Sequence, residues 1–291
     1  MKKSITFPNR NIFIPINKKS FAKTFLMILP YIFLTIFLFL IPLILVIVKA
    51  LQPANNNPVV ANWVILNGFI IKKILLSIFL ALMATIVCII IAYPFAYLLA
   101  FDKSKKLKII TIILITAPIW SSFLIKLIGL KTFFDILLGY PNSTYGHIFT
   151  IIGLIYIYIP FMILPIYNIL DGMPKNIILA SQDLGYNFIQ TFFKIIIPYT
   201  KMAFFAGLTM VFLPAITTTA IPQFMNNATN NATIGDIIAQ EGQQGLISQI
   251  ALARASAISI VVSIFVGLIY GTYVGIPKII KLIVNRDKKW K

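Results

Sequence analysis

The chain has 291 residues, 59% hydrophobic and only 11% charged, with a mean hydropathy of +0.95. Soluble domains carry about 25% charged residues, so a water-soluble core is excluded and an integral membrane protein is the class that fits. The formal net charge is +18, from 25 Lys and Arg against 7 Asp and Glu; the cations flank apolar runs instead of lining a polar face between aromatics, a pattern of membrane topology and not of nucleic-acid binding.

Residues 1–23 form a basic tail with Lys2, Lys3, Arg10, Lys18, Lys19 and Lys23. An apolar run follows over 25–50. A membrane helix needs about 20 residues to cross about 30 Å. This run is too long for a signal-peptide core and shows no clear small-residue cleavage site, so it reads as a retained helix. Pro30 and Pro42 are its candidate kinks. Residues 51–71 are uncharged, with Pro53, Asn55, Asn56, Asn57 and Pro58 as loop signals. The second run covers 74–100, and the short basic segment 102–108 follows. The third covers 109–128 through Pro118, Trp120, Ser121 and Ser122, before a loop with Lys131, Asp135, Gly139, Pro141 and Asn142. The fourth covers 147–170, with Pro160 and Pro165 inside it. A polar interruption leads to the fifth run, 199–220. Residues 221–252 are polar and nearly uncharged, with Asp236 and Glu241, and the sixth run is 253–280.

The expected fold is an all-α integral membrane protein of about six transmembrane helices. Its expected parts are a basic tail at 1–23, one transmembrane domain at 24–281 and a basic tail at 282–291. Basic residues near helix ends orient such a chain. With the N-terminus inside, the inner segments hold six Lys and Arg in the tail, four after the second run, three around the interruption and six from Lys278 onward. The outer segments hold six: Lys49, Lys72, Lys73, Lys126, Lys131 and Arg254. Both termini and the loop at about 171–198 are therefore expected in the cytoplasm, and the loop at 221–252 outside. Lys72 and Lys73 fit least well, although long amines can snorkel to headgroups.

Little chemistry is available. No Gly-Lys pair occurs, so the chain has no Walker A loop. One histidine (His147), one cysteine (Cys88) and few carboxylates support no catalytic triad and no metal site. Catalytic, cofactor-binding and metal-ligating residues are all expected to be none. Cys88 lies in an apolar run and reads as a small packing residue. The six runs contain no Asp or Glu, which argues against a proton-coupled carrier. Asp135, Asp236 and Glu241 read as solvated loop carboxylates.

The polar interruption is the informative stretch: Leu179-Ala180-Ser181-Gln182-Asp183-Leu184-Gly185, then Tyr186, and on to Ile197-Pro198-Tyr199-Thr200. Ala180 to Gln182 favour helix, and Gly185 can end that helix in a left-handed cap. Phe188, Phe192, Ile195 and Ile196 then recur at helical spacing, and Pro198 opens the next membrane segment. The local expectation is helix, glycine joint, amphipathic helix, membrane helix.

This stretch resembles the EAA loop of ABC-importer permeases, whose pattern is roughly E-A-A-x-D-L-G-A and, about ten residues on, L-P. Ala180, Asp183, Leu184, Gly185 and Pro198 match; Leu179 stands where the family usually has Glu, and Ser181 and Tyr186 replace alanines. Further similarity lies in Tyr93-Pro94-Phe95-Ala96-Tyr97-Leu98-Leu99-Ala100, in Pro118-Ile119-Trp120-Ser121-Ser122, in Gly153-Leu154-Ile155-Tyr156 through Tyr167, and in Gln190 through Pro198. These segments are similar to spermidine/putrescine permeases of the PotB type. Asn226-Asn227 departs from the Gly-Gly that relatives often carry there.

The resemblance implies a non-enzymatic permease subunit of the plasma membrane that imports polyamines. Its implied partners are a PotC-like second permease, PotA-like ATPases that carry ATP-Mg, and a PotD-like extracytoplasmic binding protein. No cofactor is implied on this chain itself. The residues implied to couple it to the ATPase are Ala180, Ser181, Gln182, Asp183, Leu184, Gly185, Tyr186 and Pro198. Trp120, Tyr156, Tyr158, Tyr270 and Tyr273 offer aromatic faces to a cation, although aromatics in membrane helices more often pack or anchor. Other readings stand beside this one: a permease for phosphate, ferric ion or thiosulfate, a secondary carrier, or a membrane scaffold.

Overall fold

A computed structural model describes residues 18–54, 58–138, 145–226 and 232–287, with side chains described between 26 and 271. Residues 1–17 and 288–291 of the basic tails lie outside these residues, as do Asn55, Asn56, Asn57, Gly139, Pro141, Asn142 and Asn227. Tyr273 is described by its backbone alone. The chain forms two units, Met1–Lys49 and Ala50–Lys291.

In the first unit, α1 (Lys18–Thr35) runs through Pro30 into a π-helical turn, Ile36–Leu40, and α2 (Ile41–Leu51) begins there. The π turn lies immediately before Pro42. A proline has no N–H to give and its ring crowds the carbonyl four residues back, here Leu38, so the helix widens by one residue at that point. At Pro42 the irregularity in the helix is this π turn, and Leu26–Leu51 remains one span.

The second unit opens with α3 (Val60–Trp63), where buried Asn62 donates to the carbonyls of Ala50 and Gln52 at 3.1 and 2.8 Å. Helix α4 (Gly68–Phe101) is N-capped by Asn67, whose side chain accepts from the Phe69 and Ile70 amides. Helices α5 (Lys105–Trp120) and α6 (Phe123–Leu138) form one bent pair with an angle of 99°. The bend is held by its own side chains. Lys126 Nζ and Ser121 Oγ both donate to the Pro118 carbonyl, at 2.6 and 2.9 Å, so a cation caps the C-terminal end of α5. Residues 129–138, expected as loop, are thus the second arm of a broken helix, and Asp135 lies on it.

Helix α7 (Gly146–Asp171) passes Pro160 and Pro165 without a break. After it come α8 (Lys175–Asp183) and α9 (Phe188–Thr191), then a second π turn, Phe192–Ile196, and α10 (Ile197–Tyr199). A bend of 72° separates the 188–199 segment from α11 (Lys201–Thr217). Short helices α12 (Ala220–Met225) and α13 (Ile234–Gln244) fill much of the stretch expected as loop, and α14 (Gln249–Asp287) closes the chain. Among the described residues, four helices are long and apolar enough to cross a membrane, and up to six spans result if each bent pair counts as one. That agrees with the expected number.

Helices α4, α7 and α11 pack together at the centre of the second unit. On α4 the residues Ala81, Ala84, Cys88, Ala92, Ala96 and Ala100 are all at most 2% exposed. They recur every three or four positions, so one face of α4 is a stripe of small side chains. Lipid tails are as apolar as protein side chains, so membrane helices associate by close packing, which small residues permit. Cys88 belongs to this stripe, as its sequence context suggested. Gly207 does the same for α11: a Cβ there would lie 2.7 Å from Met162 Sδ and 3.4 Å from Met162 Cα on α7.

Candidate coupling elbow

The elbow between α7 and α11 follows the expected sequence of helix, glycine joint and second helix. Helix α8 ends in a Schellman motif. The Tyr186 amide donates to the Ser181 carbonyl at 3.0 Å, and the Gly185 amide to Gln182 at 2.8 Å. Gly185 has φ +79°, the one positive φ among described glycines. No other atom lies within 4 Å of where a Cβ would be, so the backbone conformation alone demands glycine there. Two residues later the chain restarts with a capping box: the Asn187 side chain accepts from the Gln190 amide, and Gln190 Oε1 accepts from the Asn187 amide. The angle between the two elbow helices is therefore specified at both of its ends.

The residues of α8 divide into two faces. Leu179, Ala180, Gln182, Asp183 and Leu184 are exposed, with Leu179 at 57% and Leu184 at 75%. Ser181 is buried, donates to the Ile178 carbonyl at 2.7 Å and shares a 3.0 Å bond with the hydroxyl of Thr191 on α9. Ser181 is therefore an internal strut between the elbow's two arms. Tyr186 is half-buried, with Lys194 Nζ 4.9 Å from its ring centre. Pro198 is exposed in α10; it follows the π turn as Pro42 follows the first, and the span itself begins after the bend at Thr200.

The elbow is fixed to the bundle by aromatic and hydroxyl contacts. Tyr97 of α4 meets Phe188 and Phe192 edge-on, with ring centres 5.6 and 6.2 Å apart. Tyr93 Oη and Thr200 Oγ1 share a buried 2.9 Å hydrogen bond at the bend. Lys108, at the start of α5, donates to the Ala100 carbonyl at 2.5 Å and pairs with Asp171 at 2.6 Å. One ammonium thus joins the ends of α4 and α7 just before α8 begins. None of Tyr93, Thr200, Lys108 or Asp171 stood out as a partner in the sequence, because each depends on a residue distant along the chain.

The aromatic set is not brought together. Trp120 is 88% exposed at the bend after α5, and Tyr156 is exposed on α7. Tyr158 packs against the core and hydrogen-bonds to Thr218. Tyr270 lies on α14 beside Leu208, Phe212 and Ile269. No ring contact joins any two of these four residues.

At the end of the bundle away from the elbow, the expectation of solvated carboxylates is corrected for Asp135 and Asp236. Asp236 sits in the first turn of α13 as the acceptor of a capping box. Its Oδ2 accepts from the Thr233 amide and hydroxyl at 2.8 and 2.9 Å, while Oδ1 is buried and accepts nothing. Asp135 Oδ1 is also buried without a partner. Lys73, on α4, is 8% exposed.

The bent helices and the capped elbow between two spans fit a membrane transport permease. Residues 92–275 match the family described as "Binding-protein-dependent transport system inner membrane component", and the chain belongs to that family. It is a multi-pass protein of the plasma membrane. A relative from Mycoplasma genitalium, the spermidine/putrescine transport system permease protein PotB homolog, is 38% identical over 283 residues, covering 92% of this chain and 96% of the relative. The PotB homolog of Mycoplasma pneumoniae is 38% identical over 279 residues, covering 93% and 98%. The spermidine/putrescine permease PotB of Escherichia coli K12 is 35% identical over 187 residues, covering 60% of this chain and 67% of the relative.

Proposed function

We propose that this chain is the permease subunit of an ATP-driven importer that moves spermidine or putrescine, delivered by an extracytoplasmic binding protein. Both termini and the elbow face the cytoplasm in this reading, as the distribution of Lys and Arg favours. A second permease completes the pathway, and ATP-Mg is held by separate ATPase subunits. The exposed face of α8 from Leu179 to Leu184 docks on the ATPase, Gly185 and Tyr186 form the joint, and Pro198 precedes the bend into α11. ATP binding closes the ATPases, and the elbow carries that closure into the bundle as a rigid-body motion. The aromatic residues Trp120, Tyr156, Tyr158, Tyr270 and Tyr273 are proposed to border the pathway separately and not as one cage.

The observation that carries this reading is the elbow itself: an exposed short helix whose two ends are specified by backbone geometry and whose inner face is bonded to the next arm. Support for the polyamine comes from the names of relatives 38% identical across nearly the whole chain. The test is uptake of labelled spermidine into vesicles holding this chain with its companion permease, ATPase and binding protein. ATP-dependent accumulation that unlabelled putrescine competes away is the expected result. ATP hydrolysis stimulated by the binding protein without spermidine uptake would retain the permease and reject the polyamine.

A further inference from the structure

Asp236 is half used. Two donors from Thr233 occupy Oδ2, and Oδ1 is buried with no hydrogen-bond partner. A buried acceptor left unmet carries its full desolvation penalty, larger for a charged group than a neutral one. Burial holds the Asp236 carboxyl above the usual carboxylate range, against the opposing pull of the Thr233 bonds and of the Lys73 charge. The surroundings already hold one cation. Lys73 Nζ lies 5.2 Å from the Phe69 ring centre, and its charge reaches both Asp236 and His147. One turn further along α4, Ser77 Oγ accepts from the Ile234 amide at 2.9 Å and so fixes the start of α13 against α4. Gly235 allows a similar approach on the other side, since a Cβ there would lie 2.7 Å from the Thr218 carbonyl oxygen. The carboxylate is thus held rigidly by α4, α11 and its own capping box.

Resting on the polyamine reading, we propose that Asp236 is a receiving point for a substrate ammonium group, and that Lys73 is a tethered competitor for the same carboxylate. A primary alkylammonium has the head group of a lysine side chain: three N–H donors on an apolar stem. Either one can donate to Oδ1, which accepts from neither in this structure. Exchange of one ammonium for the other leaves the charge beside Asp236 unchanged, so substrate enters without stranding a buried carboxylate. With both present, the like charges repel, so Lys73 limits the affinity and favours release.

The two roles predict opposite signs for two substitutions. The test is equilibrium binding of labelled spermidine to the purified complete permease–ATPase complex in nanodiscs, without binding protein. Asp236→Asn keeps the size of the side chain and an oxygen for Thr233 but removes the charge. Its Kd for spermidine is expected to rise about tenfold or more, the scale of a lost charge-assisted bond. Lys73→Met is expected to lower the Kd, and the double variant to bind as weakly as Asp236→Asn. Unchanged binding in Asp236→Asn, restoration of wild-type binding in the double variant, or no binding of spermidine by the wild-type complex would each overturn the proposal. If Asp236→Asn fails to insert, Lys73→Met decides alone: tighter binding supports the proposal, and equal or weaker binding overturns it. ATP-dependent spermidine uptake by the wild-type system is measured in parallel. Its absence would defeat the polyamine reading itself, whereas uptake with no effect of these substitutions on binding would defeat the Asp236 inference alone.

Discussion

Gly185 is the residue where sequence, backbone and proposed role meet most directly. Its φ of +79° costs an L side chain about 1–2 kcal/mol, and more for a β-branched one. The space around it is open, so this cost comes from the backbone and not from a clash. Gly185→Val is therefore expected to leave the protein inserted while cutting uptake severely, whereas Gly185→Asn, which tolerates the left-handed region, keeps most of it. Uptake normalised to the quantity of protein in the membrane checks the order. Full uptake by a well-expressed Val variant would remove the joint from the mechanism. Gly185 was legible in the sequence because a left-handed helix cap is a local demand that local sequence can satisfy. Ser181 was not: its role depends on Thr191 facing it across the joint, and only the folded elbow brings those hydroxyls to 3.0 Å. Leu179 departs from the resembled pattern at a docking position, and it is exposed. Leu179→Glu should therefore leave insertion unchanged, and a changed affinity for the ATPase subunit would assign the position to docking.

Among the elements, helices were easier to read than their breaks. Apolar runs long enough to span a membrane announced the six spans. Prolines announced trouble, but not its form: Pro94, Pro160 and Pro165 stay inside continuous helices, while Pro42 and Pro198 each follow a π turn. At the bend after α5 it is the Pro118 carbonyl itself, left without a helical amide where α5 ends, that Lys126 and Ser121 take up. Lys108 plays a related part at the elbow, holding the ends of α4 and α7 through Ala100 and Asp171. The pair is partly exposed, and such pairs are worth about 1 kcal/mol or less. Lys108→Met should thus leave the bundle assembled. If the clamp keeps α7 and α8 moving together, the variant will hydrolyse ATP at an ordinary basal rate but respond less to the binding protein. A normal response in reconstituted vesicles would make the clamp merely structural.

At the scale of the molecule, the central packing and the orientation rest on different kinds of evidence. Packing of α4, α7 and α11 is a matter of small residues, and Gly207 tests it. A leucine there would have to push aside the Met162 side chain, whose Sδ lies 2.7 Å from the Cβ position, and its branches would extend past Cβ toward a Met162 backbone already in contact at 3.4 Å. Overpacking of this kind costs roughly 1–3 kcal/mol or more, so Gly207→Leu should unfold at a measurably lower temperature in detergent. Orientation rests on the positive-inside bias, a property of the whole chain in a membrane. The protein carries its own clean background for testing it, since its single cysteine, Cys88, is fully buried in the α4 stripe. A cysteine at Gln182 would stand on the exposed face of α8, and one at Leu246 in the turn between α13 and α14, where that side chain is 88% exposed. A membrane-impermeant maleimide added to intact cells should label the Leu246→Cys protein and leave Gln182→Cys unlabelled until the membrane is opened. The reverse pattern would invert the chain and put the elbow out of reach of a cytoplasmic ATPase. Labelling of both from one side would mean that the bent pairs do not each cross the membrane, and the coupling mechanism would then have to be rebuilt on fewer spans.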